Sequence, residues 1–242
     1  MMRLNKYIAS TGLCSRRKAD ELIESGQISV NGKVVKELGY HVSERDKVTV
    51  NGKLLMQKKN EYYKFYKPAG YITTCDDEKG RRTIFDILPD EFRHLKPVGR
   101  LDKDSTGLLI LTNDGDLINE LTHPSAKVQK VYHVTVKGKV TEQDLIKLEK
   151  GFEIEKDKMA YAKCSILEYQ QKNTFLNVVL YQGLNRQIRK MFDILGHEVI
   201  SLKRIQHATI TLDGMKRGEY KPLKQSQIRE LRTYLKKVSQ ND

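Results

Sequence analysis

The sequence contains no tryptophan, and its 242 residues include five prolines and three cysteines. Cys14, Cys75 and Cys164 lie far apart, are odd in number and form no CxxC pair, which argues against a disulfide scaffold or a cysteine zinc site. No stretch approaches the roughly 18 consecutive apolar residues that a membrane span requires. The opening MMRLNKYIAS has no apolar core of the kind a secretory signal carries. The expectation is a cytoplasmic protein with no membrane association. Neither a P-loop nor a GxGxxG is present, which argues against nucleotide hydrolysis and dinucleotide redox chemistry. His123, His133, His197 and His207 are scattered and read as structural. No metal and no cofactor is expected.

What the chain has in quantity is positive charge. Its formal net charge is +13 at pH 7, and a balance of that size favours a polyanionic partner, because each neutralised phosphate releases counterions. The charge is concentrated: residues 1–60 hold 12 Lys and Arg against 6 Asp and Glu. Within them, Leu4, Tyr7 and Ile8 have helical spacing and Gly12 offers a stop. Ser15 caps a second helix in which Ala19, Leu22 and Ile23 repeat the pattern. Two similar segments follow, ISVNGKVV at 28–35 and VTVNGKLL at 48–55, each centred on the Asn-Gly of a tight hairpin. Residues 1–60 therefore read as a small module, and MQKKNE at 56–61 as its linker.

Beyond it, strand-like runs at 64–67, 107–112, 131–136 and 175–181 are interspersed with helical patterns near 115–121, 141–150, 185–195 and 225–237. Strands outnumber helices without a βαβ rhythm, so residues 61–242 should form an α+β domain with a mixed, largely antiparallel sheet. Nothing indicates oligomerisation, and a monomer is the default.

Three segments carry candidate chemistry. Arg3, Lys6, Arg16, Arg17 and Lys18 surround the turn before the second helix. Three consecutive cations opening a helix are electrostatically disfavoured unless an anion binds there, so this cluster is a candidate RNA-backbone clamp. The stretch VGRLDKDSTGLLILTNDGDL at 98–117 begins like a calcium loop but has Asn113 where the bidentate glutamate belongs. It reads either as a polar turn feeding a core strand or as a single carboxylate, Asp102, held beside Arg100 as a nucleophile or base. In QGLNRQIRKMFDILGHEV at 182–199, Ile188, Met191, Phe192 and Leu195 form an apolar stripe, while Arg186, Arg189 and Lys190 crowd the first turn and a half. That crowding suggests a phosphate or carboxylate partner.

Together, RLNKYIASTGLCSRRKADELIESGQISVNGKVV at 3–35, YKPAGYITT at 66–74, GRLDKDSTGLLILTNDG at 99–115, KVYHV at 130–134 and GLNRQIRKM at 183–191 resemble the RsuA-type RNA pseudouridine synthases. Their N-terminal module is an RNA-binding fold of the ribosomal alpha-L kind. The four catalytic-domain motifs occur in the family's order, and the pairing of LDKDS with QGLNRQIRKM is most similar to the RluF branch, which acts on large-subunit ribosomal RNA.

The resemblance implies isomerisation of a uridine to pseudouridine in ribosomal RNA, large-subunit RNA being favoured and a transfer RNA a further candidate. It implies Asp102 as the essential aspartate, attacking the ribose or assisting elimination. Arg189 would pair with Asp102, Tyr132 would stack on the base and move a proton, and Ile188 would pack beside it. Lys67 and Pro68 would brace the site from behind, Arg100 would fill the space of the flipped base or hold a phosphate, and Arg186 would help bind substrate. KRIQHATI, after Leu202, is less arginine-rich than the family pattern and receives no role. The chief rival is a non-catalytic ribosomal RNA-binding or assembly protein. A second is a hydrolase acting on the RNA glycosidic bond.

Overall fold

The computed structural model describes residues 1–75 and 77–240. The chain divides into two compact units, Met1–Glu61 with Asn113–Gly115, and Tyr62–Thr112 with Asp116 onward.

In the first unit, α1 (Leu4–Ser10) and α2 (Arg16–Glu24) precede two hairpins, β1 (Ile28–Val30) with β2 (Lys33–Val34) and β3 (Val48–Val50) with β4 (Lys53–Leu54). Strands β1 and β3 pair antiparallel and join the hairpins into one sheet. Asn31 and Gly32 have φ of 52° and 80°, and Asn51 and Gly52 have 47° and 79°. Positive φ at both central residues is what the Asn-Gly pair predicts for these turns. The Ser15 hydroxyl accepts from the Lys18 amide and caps α2. Leu4, Ile8, Ala19, Ile23, Ile28, Val30 and Val48 close the small core.

The second unit is built on a nine-stranded sheet among the described residues. Its longer strands are β5 (Tyr62–Lys67), β6 (Thr106–Thr112), β7 (Lys130–Lys137), β8 (Lys163–Tyr169), β9 (Asn173–Leu180) and β10 (Val199–His207), with β11 (Tyr220–Pro222) at one edge. The order across the sheet is β8-β9-β7-β10-β6-β5-β11. The expected antiparallel character holds for every pairing on this path except one: β10 and β6 run parallel, with Lys203 opposite Thr106 and Arg204 opposite Gly107.

Helices α3 (Gly115–Thr122) and α6 (Gln225–Gln240) cover one part of the sheet, their Leu117, Leu121, Ile228, Leu231 and Leu235 packing with Leu108 and Ile110. Helices α4 (Glu142–Lys150) and α5 (Gln187–Ile194) cover another, through Leu148, Ile188, Met191 and Phe192 on Val134, Val136, Leu176 and Val178. Strand β6 explains its own unbroken apolar run. Leu108 and Ile110 face one core while Leu109 and Leu111 face a second, with Phe65, Ile84, Phe85 and Phe92. All four β6 side chains are fully buried, which stabilises the fold by roughly 6–12 kcal/mol as an upper estimate.

The parallel junction has a steric condition. Gly107 has φ of +113°, and a Cβ there would lie 2.2 Å from the Arg204 carbonyl oxygen and 2.6 Å from its nitrogen. Backbone cannot swing aside as a side chain would. Gly107→Ala is therefore expected to destabilise the protein by at least about 2 kcal/mol; an unchanged urea midpoint would show that β6 and β10 have room to separate.

Candidate active site

The link between β5 and β6 passes through residues 99–105, and Lys67 of β5 and Thr73 of the connecting segment fix that loop. Lys67, at the end of β5, is fully buried. Its Nζ lies 3.0 Å from the Pro68 carbonyl, 3.1 Å from that of Asp102, 3.4 Å from that of Lys103 and 2.9 Å from that of Ser105. Three ammonium protons are thus shared among four acceptors. Burial pulls the Lys67 pKa from 10.5 down to about 8, against the opposing pull of Asp102 and Asp104. Thr73 fixes the next residue back: its hydroxyl donates to the Leu101 carbonyl at 2.8 Å and accepts from the Leu101 amide at 3.2 Å. The Gly70 amide donates to the Lys103 carbonyl at 2.8 Å. The backbone on either side of Asp102 is tied down, while the Asp102 side chain is 30% exposed.

Asp102 opens into a cavity of about 720 Å³, within the usual range for small-molecule sites. Arg100, Leu101, Ser105, Lys130, Tyr132, Leu180, Arg186, Ile188, Leu202 and Arg204 are among the lining residues. Tyr132 and Ile188 are each over nine-tenths buried and give the cavity an apolar wall. Arg100 is exposed at the opening. Lys67 and Pro68 are not among the lining residues; Lys67 holds backbone carbonyls, that of Pro68 included.

The expected pairing of Arg189 with Asp102 is corrected by the geometry. Asp102 Oδ2 lies 3.7 Å from Nη1 of Arg186, whereas Arg189 donates Nη1 to the Val199 carbonyl at 3.1 Å and does not line the cavity. The cause is where the helix begins. The expected helix from residue 185 would put both arginines on its surface. Instead α5 starts at Gln187, and Arg186 is its N-cap in a left-handed conformation, φ 51° and ψ 33°. A non-glycine residue there carries a strain of about 1–2 kcal/mol, and in this one it aims the guanidinium at the aspartate. With side chains 44% and 30% exposed, the pair itself adds at most about 1 kcal/mol to stability.

Sequence reasoning gave no role to Thr73, Ser105, Lys130 or Arg204. Lys130 carried a readable signal, since it lies two residues before Tyr132 on a strand and shares its face. Arg204 carried none by composition; its place follows from the cross-strand register with Tyr132.

In the first unit, Arg3, Arg16, Arg17 and Lys18 are exposed and Lys6 is half-buried. Arg16 reaches Asn5 at 3.4 Å, and Lys18 is held by Glu21 at 2.6 Å. Among the described residues Arg3 and Arg17 carry no ion pair.

A family model for RNA pseudouridylate synthase matches residues 61–193. The chain belongs to that family. An S4 domain model matches residues 2–48. The Bacillus subtilis (strain 168) ribosomal large subunit pseudouridine synthase B is 42% identical over 96% of this chain and 96% of its own. The Escherichia coli (strain K12) dual-specificity RNA pseudouridine synthase RluF is 36% identical over 95% of this chain and 78% of its own. A solved pseudouridylate synthase structure aligns with TM-score 0.69 at 30% identity, covering 96% of this chain and 100% of that one.

Two outcomes are expected of this synthase. Arg186→Gly should leave stability equal or raise it by up to about 1 kcal/mol, by releasing the left-handed strain, while lowering kcat about 10- to 100-fold through the lost aspartate partner. Arg189→Gln should show the reverse order, with more effect on the thermal midpoint than on kcat. Paired melting curves and single-turnover rates decide this, and a larger kcat loss for Arg189→Gln would restore it as the partner of Asp102. The second outcome concerns Lys67. Folding lowers its proton affinity, so between pH 8 and 10.5 the unfolded lysine holds a proton that the folded one has released. Stability from this group must then rise with pH across that window. Denaturant titrations should show a weaker rise between pH 8 and 10 in Lys67→Met than in the wild type; parallel curves would refute the assignment.

Proposed function

We propose that this RNA pseudouridine synthase converts a uridine of large-subunit ribosomal RNA, with Asp102 as the group that acts on the ribose. The observation that carries the reading is the tethered carboxylate beside the apolar wall of Tyr132 and Ile188, with Arg186 as its cation. A base inside a stem cannot enter such a cavity, so the target nucleotide flips in. Asp102 attacks the ribose or assists elimination, and the C1′–N1 bond breaks. The detached uracil stays stacked on Tyr132, turns, and forms the C1′–C5 bond as the Asp102 carboxylate leaves C1′ or, on the elimination route, as the proton it took is returned to C2′. The proton leaving C5 is moved with help from Tyr132, and N1 ends protonated. A 720 Å³ cavity has room for the base to rotate without leaving. The choice of large-subunit RNA rests on the likeness to the Bacillus subtilis ribosomal large subunit pseudouridine synthase B. The cations around the start of α2 supply sequence-independent affinity for the RNA backbone.

Pseudouridine mapping of ribosomal and transfer RNA from a deletion strain tests this directly. One pseudouridine should vanish from large-subunit RNA and return with the wild-type gene but not with Asp102→Asn, whose RNA affinity should stay within a few-fold. Free uracil released at the turnover rate would instead establish a hydrolase, and no change at any uridine would favour the non-catalytic RNA-binding protein. Replacing Arg3, Arg16 and Arg17 together by Gln should flatten the dependence of log affinity on log salt by about 2, roughly 0.7 per lost phosphate contact. An unchanged slope would place the electrostatic footprint elsewhere.

A further inference from the structure

The wall of the cavity built by β7 and β10 carries two cations that no step above uses. Lys130 and Tyr132 are two residues apart on β7 and share a face. Tyr132 lies opposite Arg204 on β10, and the extra residue Ile205 in β10 brings Lys130 opposite His207. Arg204 is 2% exposed, yet it lines the cavity. Its Nε donates to the Leu108 carbonyl at 2.8 Å, which fixes the guanidinium plane, and its Nη2 is buried with no partner. Lys130 also lines the cavity, and its Nζ donates to the Val128 carbonyl at 2.8 Å.

Among the described residues neither cation makes an ion pair with a carboxylate. Burial, and then the charge of Arg204, bring the Lys130 pKa down to about 8, and burial with both cations holds His207 neutral. A buried guanidinium nitrogen without an acceptor and a neighbouring uncompensated ammonium cost free energy in the empty protein. An anion entering the cavity would offset both costs.

We propose that Lys130 and Arg204 form a phosphate subsite that grips the phosphodiester beside the flipped uridine. The subsite rests on the reading of the protein as an RNA pseudouridine synthase. The two cations stand two residues along from Tyr132 and opposite it on the sheet and line the same cavity, so a nucleotide seated on Tyr132 would bring its backbone phosphate to them. Binding energy from this non-reacting phosphate would hold the ribose in register with Asp102 across the cavity. The Arg204 side chain is anchored to β6 through Leu108, and β6 follows directly from the loop of Asp102. Subsite and aspartate therefore share one rigid frame.

The test uses a synthetic stem-loop spanning the uridine that the wild-type protein converts in ribosomal RNA transcribed in vitro. A neutral methylphosphonate replaces, in turn, the phosphate on each side of that uridine. One of the two replacements should cost the wild type about 10-fold in kcat/KM. Lys130→Gln should cost about the same on unmodified RNA, and should lose less than about 3-fold further from that same replacement. Arg204→Lys, which keeps the charge but has fewer donors, provides the second variant if Lys130→Gln folds poorly by circular dichroism, with the same non-additivity expected. Additive losses in the folded variants, or a wild type indifferent to both replacements, would overturn the subsite. Failure of the wild type to convert any uridine would instead sink the synthase reading.

Discussion

A single ammonium group organises the loop that carries Asp102. Lys67 is fully buried and its Nζ is within reach of four main-chain carbonyls between Pro68 and Ser105. Two of those carbonyls also accept main-chain amides, that of Asp102 from Ser105 and that of Lys103 from Gly70, and the lysine ties these turns to the end of β5. The arrangement solves a particular problem. A carboxylate that does chemistry must be open to its substrate, while the backbone that aims it must not move. Separating the two by holding the carbonyls from behind leaves the Asp102 side chain open on the other side.

The same separation of tasks recurs around the cavity. The left-handed turn at Arg186 points one arginine at the aspartate, and the helix that starts one residue later turns Arg189 towards Val199. Gly107 lets two parallel strands come close enough that Arg204 can reach the Leu108 carbonyl. In each case a local backbone feature, not the side chain's own preference, decides which charge faces the cavity.

Much of this was legible in the sequence, and the failures are instructive. The two Asn-Gly turns, the Ser15 cap and the unbroken apolar run of β6 follow from local rules, because only a few conformations satisfy those residues. The candidate aspartate, Asp102, is legible through its motif. The partner of Asp102 was not, since a two-residue difference in the start of α5 moves an arginine from the helix surface to its cap, and helix boundaries are the least determined feature of a pattern. Lys67 was assigned to the back of the site, but its grip on four carbonyls depends on how a loop folds over it, which no periodicity encodes. The arginine content of KRIQHATI does not single out Arg204, whose place depends on a strand register with residues some seventy positions away.

The one parallel pairing joins Thr106 and Gly107 to Lys203 and Arg204, parts of the chain separated by almost a hundred residues. Contacts so distant in sequence carry a large loop-closure cost and form late. During synthesis, Asp102 and its tethering lysine leave the ribosome long before β10 exists to close the cavity wall. A nascent chain therefore holds the proposed reactive carboxylate without its pocket, and on that reading glycosidic-bond chemistry on ribosomal RNA waits until the polypeptide is nearly complete.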